Sequence, residues 1–310
     1  DLAAHESNSR RARAIARTHP GYNACLMYGT SFKPRLDVPT YCYFDATTAQ
    51  IGRFEGWAFR HFSERAKRDI REYQREVFEH CTAIFPRSRW AADSVRDDFG
   101  VPPDRICVAG AGPNHYAEPP AHAPYDRRTI LFVGSQWERK GGPLILEAFR
   151  RLRRDLPDAR LVVVGCAPDV CEPGVELVGR IRKDDPGGLD RLLRHYAEAS
   201  LFCIMSSFEP FGIVVVEAQN SYVPCVAPAR FAFPEMVVDG VTGRLVERDD
   251  PALLATAFAD MLSDPARLEA MGRAGHEHVR THYTWEEAAR RIVARVERDL
   301  AARSASAHAR

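Results

Sequence analysis

The sequence predicts an α/β protein built on a mostly parallel sheet covered by helices on both faces. Short, uninterrupted, β-branched apolar runs close on Gly, as in "TILFVG" and "ARLVVVG", and helix-length segments stand between them. Several of those helices open on Asp-Pro or Thr, the residues that start helices well.

The second half of the chain is the more regular. Residues 129–134 read as a strand, and "PLILEAFRRLRRDLP" follows as a helix that places Leu144, Leu146, Phe149 and Leu152 at helical spacings before Pro157 stops it. "ARLVVVGCAP" and "VELVGRI" give further strands, "GGLDRLLRHYAEAS" a helix, and "LFCIMSS" a strand. "VPCVAP", "EMVVDG" and "GRLVE" are strand-sized runs. Two amphipathic helices span "DPALLATAFADMLSDPARLEAMGRAGHEHV", "TWEEAARRIVARVERDL" forms a closing helix, and the tail "AARSASAHAR" is expected to fray.

Residues 1–122 are less regular. "YNACLMYG", "VPTYCYFDA", "AIFP" and "DRICVAG" read as strands, and "ERAKRDIREYQREVFEHC" and "RWAADSVRDDFG" as helices. Pro119, Pro120 and Pro124 with little apolar content make 114–128 an expected interdomain linker. The expected division is 1–122 as a first domain, 123–283 as a second, and 284–310 as a helix packing back on the first.

Bulk numbers exclude some functions. With 43 Lys plus Arg against 42 Asp plus Glu, the net charge of +1 gives no global field to attract nucleic acid, so an anion site must be local. The eight Cys show no zinc-finger spacing and are expected as reduced thiols in a cytoplasmic protein. Neither a spanning apolar run nor a signal peptide is expected. Phe54, Trp57 and Phe62 beside a Lys/Arg run are a candidate peripheral membrane face, although such a stripe is more often core. Lysine is scarce, at Lys33, Lys67, Lys140 and Lys183, which gives weight to a Lys in a motif.

Two loops look competent to hold anions. In "SSFEPFGIVVVEAQNSY" the Pro210–Gly212 turn follows a buried strand. The Ile-Val-Val-Val run favours strand by composition, but its length and its place before the next strand favour a crossover helix. As a helix it would aim the free amides of Gly212, Ile213 and Val214 at a ligand, with Glu209 before them and Glu217 about one turn further in. By spacing alone, a surface-loop Glu209 and a solvated Glu217 are the plainer reading. The second loop, "FVGSQWERKGG", has Arg139 and Lys140 ahead of Gly141 and Gly142, a pattern that suits a diphosphate or, more blandly, a solvated basic turn.

Together "ILFVGSQWERKGGPLILEAF", "ARLVVVGCAP", "SSFEPFGIVVVEAQ" and "PEMVVDGVTGRLV" resemble the nucleotide-sugar half of the retaining glycosyltransferases of family 4. "SRWAADSVRDDFGVPPDRICVAGAGPN" is similar to the end of that family's first domain. The resemblance implies a GT-B-like fold, two Rossmann-like domains facing a cleft, with the first abbreviated because the chain opens midway through it. It implies that Lys140 binds the donor diphosphate, with Arg139 a weaker match because Ser135 stands where the family has its Arg. Gly134 and Ser135 would line the donor site. Phe211, Gly212 and Ile213 would hold phosphate, Glu217 the ribose, Glu209 the donor sugar, and Arg180 would lie beside the base. The family's catalytic His has no clear match, and Asp45 stands near its place. The implied reaction is metal-independent transfer from a nucleoside diphosphate sugar to a glycan, lipid-linked or small-molecule hydroxyl acceptor, with no cofactor. A non-catalytic nucleotide-sugar-binding protein and a nucleotide-sugar epimerase stay open as alternatives. A dehydrogenase is disfavoured, since no GxGxxG follows a strand.

Overall fold

The computed structural model describes the chain except residues 1, 20, 34, 55–58, 60, 248–249 and 309–310. Along the chain run α1 (Leu2–Thr18), β1 (Cys25–Tyr28), β2 (Thr40–Phe44), α2 (Thr48–Arg53), α3 (Glu64–His80), β3 (Ala83–Pro86) and α4 (Arg89–Phe99). Then come β4 (Thr129–Val133), α5 (Gly142–Asp155), β5 (Arg160–Val164), β6 (Val175–Gly179), α6 (Gly188–Ala197), β7 (Leu201–Cys203), α7 (Ile213–Asn220) and β8 (Cys225–Pro228). The last elements are α8 (Phe233–Met236), β9 (Gly243–Val246), α9 (Pro251–Leu262), α10 (Pro265–His282) and α11 (Trp285–His308). They divide into two α/β units, one of residues 1–111 with 285–310 and one of residues 112–284.

The first unit holds a parallel sheet in the order β1-β2-β3. Alternate side chains of β2 supply its two faces, as the period of two requires. Cys42 and Phe44 pack with Tyr73, Val77 and Phe78 of α3. Tyr41 and Tyr43 pack on the other side with Phe85, Trp285, Ile292 and Val296, so α11 closes that face. Serine caps start α3 and α4, Ser63 accepting from the Ala66 amide and Ser88 from the Ala91 amide.

The second unit has six parallel strands in the order β6-β5-β4-β7-β8-β9. Successive strands step outward from β4 in one direction and from β7 in the other, so the winding reverses between these two neighbours. All five residues of β4 and all three of β7 are buried, whereas no residue of the edge strand β6 is. That explains the continuous apolar runs at the sheet centre. The core joins β4, β5 and β7 to Ile145, Phe149 and Leu152 of α5 and to Leu254, Phe258 and Met261 of α9.

Four expectations need correction. "EMVVDG" is no strand: Pro234 sits in the first turn of α8, and Asp239–Gly240 turns the chain so that the Gly240 amide donates to Gly243 O at 2.9 Å. "DRICVAG" is no named strand: it meets β3 through one bridge, Ile106 to Ile84, with the Cys107 amide donating to Ile84 O and the Ala109 amide to Pro86 O, both at 2.9 Å. Of the tail, residues 301–308 are helical, since α11 runs on to His308, and 309–310 lie outside the described residues. The proline-rich stretch is not a free linker: the Ala123 amide donates to Ala197 O at 2.8 Å, and His122 stacks on Tyr125 at 4.1 Å within the second unit. Of the candidate membrane face, Trp57 lies outside the described residues, Phe62 is exposed, and no described helix is long and apolar enough to cross a membrane.

Candidate functional site

In sheets wound both ways from a centre, ligands bind beyond the carboxyl ends of the strands where the order reverses. Here that place is the β4/β7 junction, and the two loops singled out from the sequence both begin there: 134–141 follows β4 and 204–212 follows β7.

Backbone hydrogen bonds tie one loop to the other. The Met205 amide donates to Lys140 O at 3.0 Å and the Ser207 amide to Arg139 O at 2.8 Å. So close an approach requires Gly141, which has φ 81° and whose missing Cβ would stand 2.1 Å from Met205 O. The Lys140 ammonium then meets the Glu209 carboxylate in an ion pair, and Arg139 Nη1 stands 3.7 Å from the same carboxylate oxygen. Arg139 Nη1 also donates to Phe208 O at 2.6 Å. Burial pushes the Lys140 pKa down, against the upward pull of Glu209. Gly134 ends β4 under the Lys140 side chain, and Ser135 is exposed beside it.

The Ile-Val-Val-Val run is helical. It shows little amphipathic periodicity because α7 is buried nearly all round, with Val215, Val216, Glu217, Ala218 and Gln219 inaccessible. Gly212 caps it at φ 92°, and a Cβ there would lie 2.8 Å from Phe233 Cε1. The first amides of α7 have no acceptor within the helix and carry its positive dipole end. Phe211 is buried against Tyr283, with ring centroids 6.1 Å apart.

Glu217 is 3% exposed, so it is not a solvated helix residue. Its Oε1 accepts from Lys183 Nζ at 2.6 Å and from the Asn114 amide at 3.2 Å, and its Oε2 accepts from Tyr196 Oη at 3.3 Å. Burial, then the Glu217 charge, hold the Tyr196 hydroxyl well above its usual range. Burial lowers the pKa of nearby His115, against the pull of Glu217. Sequence reasoning missed Lys183, Tyr196 and His115. The available signal was the scarcity of lysine, which marks Lys183 as it marks Lys140.

Arg180 is exposed just past the end of β6. Asp45 stands in the first unit, directly after β2, with Arg87 Nη1 3.7 Å from its Oδ2. Among the described residues no group of three or more His, Cys, Asp or Glu is placed to hold a metal.

The second unit is a doubly wound parallel sheet with two glycine-marked loops meeting at its switch point, the place where such sheets bind ligands, and the two Rossmann-like units give the GT-B fold. Residues 127–264, most of the second unit, match the family model of the glycosyl transferases group 1. D-inositol 3-phosphate glycosyltransferase of Corynebacterium diphtheriae is 33% identical over 180 residues, 54% of this chain and 42% of that protein. The GDP-mannose-dependent alpha-(1-6)-phosphatidylinositol monomannoside mannosyltransferase of Mycolicibacterium smegmatis is 31% identical over 181 residues, 54% of this chain and 47% of that one. The chain thus spans about half the length of the curated relatives it matches. In fold it is similar to sucrose-phosphate synthase from Thermosynechococcus elongatus, with a TM-score of 0.73, 20% identity and coverage of 94% and 77% of the two chains. It is likewise similar to HepE of Anabaena in complex with UDP and glucose, with a TM-score of 0.70, 16% identity and coverage of 93% and 80%.

Proposed function

We propose that the chain is a retaining glycosyltransferase that moves a sugar from a nucleoside diphosphate sugar to a hydroxyl acceptor without a metal. The observation that carries this reading is the juxtaposition, at the switch point of the second sheet, of Lys140, Arg139 and Glu209 with the loop leading into α7. In the proposed reaction the bond from the anomeric carbon to the diphosphate oxygen breaks, and the acceptor oxygen bonds to the anomeric carbon while its proton passes to a base, ultimately the released diphosphate. The leaving diphosphate carries the developing negative charge. Lys140, Arg139 and the amides of Gly212 and Ile213 would receive it in fixed positions, with Gly134, Ser135 and Phe211 lining the pocket, Glu209 on the sugar, Glu217 on the ribose and Arg180 near the base. A helix dipole supplies only ~0.3–1 kcal/mol, against barrier reductions of ~8–23 kcal/mol in enzymes. The two cations and the positioning of donor against acceptor must therefore provide most of the effect.

The names of the relatives support the class of reaction, and an inositol-bearing or lipid-linked acceptor is the corresponding proposal for this chain. The test is turnover of UDP- and GDP-sugars with and without acceptor, following the anomeric configuration of product by NMR. Loss of transfer in both Glu209→Ala and Lys140→Ala supports the reading, and unchanged transfer removes it. Nucleotide binding without transfer to any acceptor would instead indicate a binding protein, and a rearranged sugar nucleotide formed without acceptor an epimerase.

A further inference from the structure

The Glu217 carboxylate has about four lone-pair positions, two on each oxygen. Three are occupied: Lys183 Nζ and the Asn114 amide fill Oε1, and Tyr196 Oη takes one place on Oε2. A ribose 2′,3′-diol that donates both hydroxyl protons to this carboxylate needs two places, and one is open. One present donor must leave. The Asn114 amide is backbone, and Tyr196 is fully buried in the core. Lys183 is different: it lies in the segment between β6 and α6, and its side chain is 32% exposed, so it can swing into water at small cost. His115, lowered in pKa by burial, is not a second cation on this carboxylate, which leaves Lys183 as its sole ion-pair partner among the described residues.

We propose that Lys183 is a specificity-determining residue that occupies half of the ribose subsite in the unliganded protein, so that only a ligand bringing both ribose hydroxyls displaces it. The inference rests on the reading of Glu217 as the ribose-binding carboxylate. Removing the ammonium while keeping side-chain length leaves Glu217 with an unmet charge in the free protein, and the diol restores its partners. Lys183→Met therefore binds nucleoside diphosphate more tightly than the parent protein, by about three- to tenfold for a displaced, partly exposed ion pair. A 2′-deoxy nucleotide needs only the place already open on Oε2, so the gain shrinks for it.

The experiment is titration calorimetry of the parent chain, Lys183→Met, Lys183→Gln and Glu217→Gln with UDP, GDP and their 2′-deoxy counterparts. Lys183→Gln keeps a neutral donor to Glu217, should the methionine variant fold poorly, and falls between parent and Lys183→Met. Tighter binding confined mainly to the ribonucleotides supports the proposal. Weaker or unchanged binding in both Lys183 variants, or an equal gain for deoxy ligands, overturns it. If Glu217→Gln weakens binding while the Lys183 variants do not tighten it, the inference alone fails. If no nucleotide binds the parent chain, or Glu217→Gln binds as the parent does, the donor-site reading fails and takes the inference with it.

Discussion

Lys140 and Glu209 form an ion pair across two loops that belong to different strands, and they meet because β4 and β7 are neighbours in the sheet though distant in sequence. Their side chains are only 11% and 12% exposed, so each charge depends on the other for its solvation. Breaking the pair from one side should cost about 3 kcal/mol of stability in Lys140→Met, since a mostly buried carboxylate is left with only the more distant Arg139, 3.7 Å away. The double variant Lys140→Met/Glu209→Gln should recover part of that loss. Urea denaturation of the four proteins measures the coupling, and additive losses would show the pair to be energetically idle.

The same pair sets an expectation for the donor. A diphosphate must compete with Glu209 for the ammonium, so Glu209→Gln should bind UDP or GDP at least as well as the parent while losing transfer of the sugar. Lys140→Met should weaken nucleoside diphosphate binding by about 10- to 100-fold, the scale of one charge-assisted phosphate contact. Calorimetry of both variants separates the roles, and equal effects on binding would contradict the division between phosphate and sugar.

Gly212 meets two constraints at once, a left-handed φ of 92° and a Cβ position 2.8 Å from Phe233 Cε1. Gly212→Ala should therefore destabilise the protein by about 1–3 kcal/mol and disturb the first turn of α7. Gly100 also has a left-handed φ, 70°, but open space around it, so Gly100→Ala should cost only about 1 kcal/mol. Thermal unfolding compares them directly. A Gly212→Ala no worse than Gly100→Ala would show that contact with Phe233 relaxes freely.

The second unit was more legible in the sequence than the first for a physical reason. Its central strands β4 and β5 spell β-branched apolar runs that close on Gly, whereas β2 of the first unit, though buried along its whole length, reads Thr-Tyr-Cys-Tyr-Phe and runs on into Asp45 with no such Gly. The loops of Lys140 and Glu209 were readable because Gly and Pro mark their turns. Their mutual contact was not, since strand order cannot be read along the chain. "EMVVDG" has strand composition but is governed by Pro234 and the Asp239–Gly240 turn, a case of local breakers overriding propensity. Glu217 looked solvated because a lone carboxylate in a helix usually is. Its partners Lys183, Tyr196 and Asn114 come from three separate segments, and no local pattern could announce them.

His115, His122, His195 and His278, all in the second unit, have pKa values lowered first by burial. A lowered value means that the fold favours neutral imidazole, so the unfolded chain takes up protons first, at about 6.5. The stabilisation is present above that pH and is lost as pH falls toward the folded values. The second unit should therefore lose stability as pH falls below about 6.5, before most carboxylates titrate. Unfolding followed by Trp137 fluorescence from pH 8 to 5 gives the check, and a flat midpoint above pH 5 would contradict it.

Asp45 raises the remaining question of chemistry. Arg87 is buried between Tyr28 and Tyr43, with its guanidinium 5.4 and 5.0 Å from their ring centroids, and its Nη2 donates to Tyr28 Oη at 2.9 Å. The guanidinium is thus fixed, while Asp45, its side chain 45% exposed and 3.7 Å from Nη1, is held at the carboxyl end of β2 without being sealed there. An ion pair so open and so long contributes little to stability, under about 1 kcal/mol. A role in the reaction would be visible against that quiet background. Asp45→Asn should leave nucleoside diphosphate affinity unchanged, because the proposed donor-binding groups all belong to the second unit, and should lower transfer by about 100-fold or more if the carboxylate handles the acceptor proton. Unfolding midpoint, nucleotide affinity and transfer rate of the one variant decide the matter. Loss of transfer alone assigns Asp45 to the chemistry, and three unchanged values make it a strand-end residue.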